Sequence, residues 1–545
     1  MFEHLASLDL VVIGIYFLCV FGIALFFFLK KKFSKRKRSP ESYFLGGRNL
    51  GWWVIGASLF ASNIGSEHLI GLAGAGAKGE FAAGQFEILA ALMLLVLGWF
   101  FVPFYMKSGV FTMPEFLERR YSSWARNYLS WISIVAYVLT KISITIAAGG
   151  IVFTTLLGIN FWTGALLIVV FTGVYTLIGG FKVVVYTDFL QMIVLIGGSI
   201  ALTYFGLKSL NGWEGVVQNV PEGSLSLWKN MQHPDYPWTG IVFGAPILGV
   251  WYWCTDQFIV QRVLAAKNID HARKGTIFGG FLKLLPLFLF VIPGVIALAL
   301  SVGDNALITF PLKADGTTNY DAALPLLSLT VLPAGFKGLV IAGLLAALMS
   351  SLSSVFNSCS TLFTMDIYRQ YKPEATKKQL VYVGQIATVV LILLGMAWIP
   401  FMEDIKGGLF KVLQSIQAYI SPPIAAVFLI GILSKKITPQ AAKISLLSGA
   451  VLGLVRLGLE LVQDDLSGPL YAFTQINFLH FALFLFLVCV ALLYVFSKEK
   501  DALSESRLAD ITWSKGAITI QKSSVNIILS LLLIISVFIL WYLFK

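Results

Sequence analysis

Charged residues are scarce in this chain of 545 residues, where Asp, Glu, Lys and Arg together make up only 12% of the sequence. Soluble domains carry about 25%, so a soluble enzyme is excluded. Hydrophobic residues reach 57%, which also excludes a disordered scaffold. The apolar runs continue for about 20 residues, as spanning helices require, whereas the strands of a membrane barrel alternate apolar and polar positions. The sequence therefore predicts an all-α polytopic membrane protein.

Cysteine and histidine are also rare, with 4 and 5 residues. Cys19, Cys254, Cys359 and Cys489 all lie inside apolar runs, so we expect packed thiols rather than a disulfide framework. The histidines show no metal-ligand spacing. The sequence has neither a Walker motif nor a dinucleotide glycine fingerprint. These absences argue against a metal site and an ATP-driven pump, and we expect no enzymatic activity.

The apolar runs predict about 14 transmembrane helices. Their predicted ranges are 9–30, 51–76, 84–106, 127–156, 161–178, 185–207, 239–257, 275–301, 334–367, 379–400, 408–433, 444–462, 475–496 and 525–544.

Basic residues orient these helices. Most of the 40 Lys and Arg residues fall in alternate loops, beginning with Lys30–Arg38 after the first helix. The positive-inside rule makes those loops cytoplasmic, and both termini then lie outside. Topology therefore accounts for the net charge of +12, and we expect the lipid bilayer, not a nucleic acid, as the partner. No obligatory protein partner is evident from the sequence.

The second predicted helix contains a polar interruption near mid-membrane. Ala61–His68 reads Ala-Ser-Asn-Ile-Gly-Ser-Glu-His. Backbone that leaves a helix at this depth must line protein or water, and its freed carbonyls can hold a small cation beside a polar solute. A simple helix kink with internally satisfied polar groups is the alternative.

The seventh predicted helix carries a second interruption, where Gly244-Ala245-Pro246 and Gly249 precede Trp251–Gln257 (WYWCTDQ). Two interrupted helices, five apart, suggest corresponding positions in two repeats of inverted topology and point to a transporter's central site. We therefore predict an N-terminal extra helix with a basic cytoplasmic loop at 1–49, a first five-helix repeat at 50–209, an outside loop at 210–238, a second five-helix repeat at 239–434 and C-terminal extra helices at 435–545.

Four polar residues inside predicted helices are candidates for function, because a charge there costs about 2.5–3.5 kcal/mol: Glu87, Asp188, Lys283 and Gln414. The alternatives are snorkelling of Lys283 to an interface and an interfacial cap for Asp188. We expect structural or interfacial pairs at three further positions: Lys141, Arg456 and Glu460.

The ninth predicted helix carries a stripe of hydroxyls. Ser350, Ser354 and Ser358 fall on one helical face. Small-residue stripes usually indicate close helix packing in membranes, which is the alternative here. The functional interpretation is a sodium site, because a hard cation prefers oxygen ligands, and hydroxyls with carbonyls from a broken helix supply them without a fixed charge.

These segments resemble the sodium/glucose cotransporters of the solute:sodium symporter family. The resemblance covers essentially the whole chain and is most specific at Gly56–Ser66, Trp251–Gln257, Val260–Arg262 and Ser358–Tyr368. It implies a LeuT-like core, an inverted repeat of two five-helix units formed by helices two to eleven, with extra helices before and after it.

The resemblance also implies binding residues. A sodium site similar to that of the family is suggested by the carbonyls of Ala61, Ile64 and Ala347 and the hydroxyls of Ser350 and Ser351. A second sodium site, present in some members, is suggested by Asp188, Ser353 and Ser354. A sugar site is suggested by Asn63, His68, Glu87, Tyr252, Trp253, Lys283 and Gln414, with Phe86 and Phe410 lining it and Tyr252 resembling an inner gate.

The chemistry of these residue types agrees with a polyol ligand. Glu87 can accept from sugar hydroxyls, while Lys283 and His68 can donate to them, and aromatic faces cover the apolar side of a pyranose. Sites built to bind hydroxyls discriminate strongly against analogues that lack them. We also expect Glu87 and Lys283 to pair, with the sugar exchanging for that pair.

Together these features predict a secondary symporter that imports a hexose such as glucose or galactose by alternating access, with two sodium ions per sugar. The alternatives are a sodium symporter for another polyol such as inositol, and a sodium-linked sugar sensor. Glu67, Gly249 and Gln417 depart from the family pattern and leave the identity of the sugar open. The predicted outside loops lack an Asn-x-Ser/Thr acceptor site for glycosylation. We therefore expect a multi-pass protein of the cell membrane, specifically of a bacterial inner membrane.

Overall fold

The computed structural model describes residues 5–32, 39–303, 306–313, 316–398, 409–498, 503–513 and 523–545, and this part of the chain is almost wholly helical, with isolated bridges in place of strands. We number the helices that correspond to the predicted segments in chain order. They are α1 (Ser7–Lys32), α2 (two halves, Trp52–Asn63 and Ser66–Ala77), α3 (Phe81–Ser108), α4 (123–157), α5 (Phe161–Gly179), α6 (Phe181–Ser209), α7 (Gly240–Thr255), α8 (Ile269–Ala299), α9 (Phe336–Tyr371), α10 (Lys377–Trp398), α11 (Leu409–Leu433), α12 (Pro439–Leu461), α13 (Phe478–Val495) and α14 (Ser524–Leu543).

Each predicted transmembrane segment overlaps one of these helices. In the described part, 11 helices are long and apolar enough to cross a membrane, and α2, α5 and α7 contain shorter apolar stretches. The chain is therefore an all-α, multi-pass membrane protein. Residues 399, 400 and 408 of the predicted helices, and 33–38 of the first basic loop, lie outside the described residues. The orientation of the termini and the division into repeats stay predictions.

Helix α6 begins at Phe181, four residues before its predicted start. Gly180 separates it from α5 with a φ of +65°, a left-handed backbone that glycine adopts readily. Because the helix starts early, Asp188 lies about two turns inside it and is fully buried. The structure thus contradicts an interfacial cap for this carboxylate.

Helix α2 breaks where the sequence predicts. Its first half ends at Asn63, Ile64 and Gly65 take extended backbone angles, and the second half begins at Ser66. A helix end leaves its last carbonyls without intrahelical partners. The break therefore presents backbone oxygens in the middle of the bundle.

Helix α7 is interrupted later than predicted. Gly244 and Gly249 stay within continuous helix, with wider π-type turns at Gly240–Gly244 and Val250–Thr255. The break falls at Asp256, whose Oδ1 accepts the N–H of Phe258 at 3.2 Å and caps a new short helix. The side-chain cap replaces the helical hydrogen bonds lost there, as an N-cap carboxylate does.

Two glycines let α2 and α8 cross closely. A Cβ on Gly56 would lie 2.8 Å from the carbonyl oxygen of Gly275, and a Cβ on Gly275 would lie 2.9 Å from the Cβ of Ile55. Small residues permit such close approach between membrane helices. The crossing brings Lys283 of α8 beside Asn63, at the break in α2.

Candidate functional site

A cavity lies beside the break in α2, with walls from α2, α3, α7 and α11. It contains about 590 Å³ of empty space, including the part open to solvent. Its lining includes eight of the nine predicted sugar-site residues: Asn63, His68, Phe86, Glu87, Tyr252, Trp253, Phe410 and Gln414. The ninth, Lys283, is fully buried and contacts Glu87 and Asn63.

Lys283 and Glu87 form a buried ion pair in the cavity wall. The ammonium of Lys283 donates to Glu87 Oε2 and to Asn63 Oδ1. His68 Nδ1 accepts the N–H of Gly65 at 3.4 Å, so its Nε2 carries the proton, 3.4 Å from Glu87 Oε1. A lone charge buried here would be costly, and these partners compensate it. The structure confirms the predicted pairing of Glu87 with Lys283.

The hydroxyl of Tyr252 joins the cavity to α4. It accepts hydrogen bonds from Asn63 Nδ2 at 2.9 Å and from Lys141 Nζ at 2.8 Å. The Lys141 ammonium also lies 4.3 Å from the ring centroid of Tyr252 and 4.1 Å from that of Phe258. Lys141 therefore forms a pair with Tyr252, as expected, and this pair lies in the cavity lining, where α4 contains a π-type turn at Tyr137–Ile142.

Aromatic rings cover the side of the cavity that is predicted to face outside. Phe86 packs edge-on against Phe410 and Tyr236, with ring centroids 5.8 and 6.2 Å apart. Phe410 also packs edge-on against the His68 ring at 6.0 Å. These contacts join α2, α3, α11 and the loop before α7 above the ion pair.

Asp235 ties this aromatic cover to two helices. Its Oδ1 lies 2.5 Å from Lys411 Nζ on α11, and its Oδ2 lies 3.4 Å from Lys78 Nζ after α2. Burial alone would raise the pKa of Asp235, but the two ammonium groups outweigh it and hold the pKa below its ordinary value. Asn477 donates to the carbonyls of Pro234 and Asp235 and anchors the loop on α13.

The predicted sodium site lies where α9 faces the break. Ser351 Oγ donates to the carbonyls of Ser62 and Ile64 at 3.1 and 3.4 Å. Ala61 belongs to the same last turn of the first half of α2, and Ala347 lies one turn before Ser351 on α9. Carbonyls freed by a broken helix, together with a hydroxyl, are suitable ligands for sodium.

Asp188 gathers hydroxyl groups from two helices. Its carboxylate accepts from Ser58 at 2.5 Å, Ser62 at 3.0 Å and Ser350 at 2.6 Å. The hydroxyl of Ser350 is thus engaged by Asp188, while that of Ser351 reaches the break. The two serines that the sequence assigns to one sodium site therefore face different partners.

Arg262 is the cation beside Asp188. Its Nη2 lies 3.8 Å from Asp188 Oδ2, and both side chains are fully buried. The guanidinium also donates to the hydroxyls of Ser58, Ser62 and Ser354. It therefore links the carboxylate of α6 to the serine stripe of α9.

The residues of the predicted second sodium site are not gathered into one ligand set. Ser354 donates to Ser62 Oγ at 3.0 Å, and Ser353 donates to the carbonyl of Ser350 at 3.0 Å. Neither hydroxyl bonds to Asp188, whose hydroxyl donors are those of Ser58, Ser62 and Ser350.

Sequence reasoning assigned no role to three residues of this cluster: Ser58, Ser62 and Arg262. All three stand in the segments that carry the family resemblance, which is the signal that could have found them.

Among the departures from the family pattern, Gly249 and Gln417 line the cavity. The side chain of Glu67 lies outside the described part of the structure.

Comparisons with known proteins agree with this architecture. A family model described as the sodium:solute symporter family matches residues 43–449. The chain is 37% identical to sodium/glucose cotransporter 1 of Sus scrofa over 542 residues, which cover 93% of this chain and 81% of that protein. It is 36% identical to the sodium/myo-inositol cotransporter of Canis lupus familiaris over 559 residues, covering 95% and 77% of the two chains.

The fold is similar to that of a Na+-coupled sialic acid symporter solved in a substrate-bound outward-open state. The TM-score is 0.76 at 21% identity, covering 90% of this chain and 98% of the other. The family match extends from the segment before α2 into α12. The chain belongs to the sodium:solute symporter family.

Proposed function

We propose that this protein imports a hexose resembling glucose or galactose together with sodium, by alternating access. The observation that carries the proposal is that two successive residues at the break in α2 belong to the two predicted sites, one to each. The side chain of Asn63 belongs to the cavity network, and the carbonyl of Ile64 accepts from Ser351 at the sodium site. Sodium bound at the break would fix the backbone that positions Asn63.

In the proposed cycle, sodium from outside binds first and holds α2 against α9. This completes the sugar site. The sugar hydroxyls then exchange for bonds within the Glu87–Lys283 pair, and aromatic rings cover the apolar face of the sugar. Reorientation of the bundle releases both solutes to the cytoplasm, past Tyr252.

Sodium is the co-transported ion, and its number sets the gradient that can be built. One sodium crossing 100 mV contributes about 2.3 kcal/mol, and each tenfold gradient needs about 1.4 kcal/mol. One sodium supports roughly a fifty-fold sugar gradient from voltage alone, and two support roughly a two-thousand-fold gradient. We propose two, the second bound by Asp188, Ser353 and Ser354 after Arg262 moves away. The buried carboxylate of Asp188 supports this assignment.

A second candidate substrate is another polyol such as inositol. It is favoured by the similarity to a protein named as a sodium/myo-inositol cotransporter, and by a cavity whose groups recognise hydroxyls rather than a particular ring. A sodium-linked sugar sensor would bind the same ligands without moving them. We place the protein in the cell membrane, and the absence of an Asn-x-Ser/Thr acceptor in the predicted outside loops supports a bacterial inner membrane.

Uptake of a sugar panel into proteoliposomes tests the proposal. Glucose or galactose should accumulate only with an inward sodium gradient, and Glu87→Ala should abolish accumulation because the pair with Lys283 is lost. Accumulation of inositol but of no hexose would select the second candidate. Binding without accumulation would identify a sensor.

Replacing Tyr252 with phenylalanine should weaken sugar uptake without unfolding the protein. The ring remains, but Asn63 and Lys141 both lose an acceptor. At roughly 0.5–1.5 kcal/mol for each hydrogen bond, we expect the sugar KM to rise roughly tenfold while the sodium half-saturation constant stays unchanged. Initial rates of sodium-driven uptake measure both. An unchanged sugar KM would remove Tyr252 from the site.

Replacing Asp235 with asparagine should ease opening of the aromatic cover. The ion pair with Lys411 connects the loop to α11, and a partly exposed pair contributes up to about 1 kcal/mol. We therefore expect the sodium half-saturation constant to fall by up to about fivefold, because states open to the outside gain population. An unchanged sodium half-saturation constant in Asp235→Asn would contradict this role of the ion pair.

The external pH dependence of this contact follows from the pKa of Asp235. Because the pKa is held below its ordinary value, the ion pair stays intact above about pH 4. It is lost only as the pH falls through the lowered pKa. Uptake by wild type and by Asp235→Asn should therefore show the same pH profile between pH 5 and 8. A profile that differs in this range would assign the titration to Asp235 and contradict the expectation.

A further inference from the structure

Most polar groups that line the cavity already have partners within the protein. Glu87, Lys283, Asn63, Tyr252 and Lys141 form one connected set of hydrogen bonds and ion pairs. A sugar hydroxyl binds to this set only by replacing a bond that exists. Discrimination between similar sugars therefore depends strongly on groups that are still available.

Two carboxamides on α11 are available. Gln414 and Gln417 line the cavity and are half-buried, and neither makes a hydrogen bond to any residue that the structure describes. They are three residues apart, so they share one face of the helix. Each offers one acceptor oxygen and two donor hydrogens.

Gln417 stands at one end of the cavity. A second, smaller cavity with about 420 Å³ of empty space lies between α4 and α11. Of the described residues, Lys141 and Gln417 are the two that line both cavities. Since the Lys141 ammonium is engaged by Tyr252, the carboxamide of Gln417 is the available polar group at this end.

The neighbouring wall from α7 offers no competing polar group before Tyr252. It consists of Ala245, Leu248 and Gly249. A Cβ on Gly249 would lie 2.6 Å from Met93 Cγ, so Met93 fills the space that a side chain there would take. Gln417 is therefore the polar side chain that is available to a sugar hydroxyl at this end of the cavity.

We propose that Gln417 is a specificity-determining residue, whose carboxamide binds a hydroxyl at the end of the sugar that faces the second cavity. The inference rests on the proposed function and narrows the substrate class. The substrate is a sugar with a free hydroxyl at the end that faces the second cavity. Because a carboxamide both donates and accepts, it reads the position of the hydroxyl and discriminates against analogues that lack it.

Competition by deoxy sugars tests this assignment on the full-length protein in proteoliposomes. Sodium-driven uptake of labelled glucose is measured against each monodeoxyglucose, for wild type, Gln417→Met and the conservative variant Gln417→Asn. Methionine keeps the length of the side chain and removes its strong hydrogen bonding. Gln414→Met is the matched control, one turn away on the same face.

We expect Gln417→Met to raise the glucose KM by roughly 3- to 10-fold and to lose discrimination at one hydroxyl only. The maximal rate and the sodium half-saturation constant should stay unchanged. Gln414→Met should lose discrimination at a different hydroxyl, and Gln417→Asn should keep part of it.

Three results for Gln417→Met would overturn this inference and leave the proposed function standing. They are an unchanged ranking of the deoxy sugars, an equal loss of affinity for all of them, and a changed sodium half-saturation constant. Absence of sodium-driven hexose uptake by the wild type would instead overturn the proposed function, and this inference with it.

Discussion

Sugar uptake is expected to vanish when Lys283 is replaced by alanine, while sodium binding survives. The ammonium of Lys283 is fully buried and donates to both Glu87 and Asn63. Its removal leaves the Glu87 carboxylate buried without its ion-pair partner, at a cost of about 3–5 kcal/mol. A loss of this size in the free energy of sugar binding corresponds to an affinity lower by a factor of 100 or more. The contacts that Ser351 makes at the predicted sodium site do not involve Lys283. Uptake assays and equilibrium binding of labelled sodium measure the two effects separately.

A double variant separates the sugar site from protein stability. Lys283→Ala with Glu87→Ala removes both charges and leaves no buried carboxylate unpaired, so its thermal stability should recover relative to Lys283→Ala alone. Sugar uptake should remain absent, because both groups that we propose to bind the sugar hydroxyls are gone. Uptake by either variant at the wild-type rate would contradict the assignment of this pair to the sugar site.

Loss of the Ser351 hydroxyl is expected to weaken sodium binding strongly. Ser351 contacts the carbonyls of Ser62 and Ile64 across the break, and alanine there removes one oxygen from a small ligand set. Even an outer partner of a metal site costs 10–100-fold in affinity when it is removed, so we expect the half-saturation constant of sodium to rise on the order of 10–100-fold in Ser351→Ala. The sugar KM should converge on the wild-type value at saturating sodium.

Ser358→Ala is the matched control for that experiment. Ser358 lies on the same helix, and its hydroxyl bonds to Gln261 and to the carbonyl of Ser354, away from the break. The substitution removes an identical group, so helix packing changes to a similar degree. Equal effects of Ser351→Ala and Ser358→Ala on sodium dependence would show that the stripe serves packing rather than binding.

Two features of the site were predictable because their physical signals are strong. Polar groups at membrane depth beside Gly65 indicated the break in α2, and the structure confirms it. An unpaired charge buried among apolar helices is costly, so opposite charges there are expected to pair. This predicted the contact of Glu87 with Lys283. The local pair between Arg456 and Glu460 on α12, with atoms 2.8 Å apart, follows from their spacing of four.

Other features depend on backbone irregularities that the sequence pattern does not reveal. Lys141 was expected to form a structural or interfacial pair, but its place in the cavity lining was not predicted; a π-type turn at Tyr137–Ile142 inserts a residue into α4, and Lys141 there contacts Tyr252. The later break in α7 arises because Asp256 caps a new helix. Arg262 reaches Asp188 from a short helix that was not predicted, which is why the carboxylate was assigned to sodium alone.

Coupled movement of sodium and sugar is tested most directly by the reversal potential of the wild-type protein in proteoliposomes. With two sodium ions per sugar, each tenfold change in the sugar gradient should shift the reversal potential by about 30 mV, and with one sodium by about 60 mV. We predict about 30 mV. A reversal potential that does not respond to the sugar gradient would contradict coupled transport.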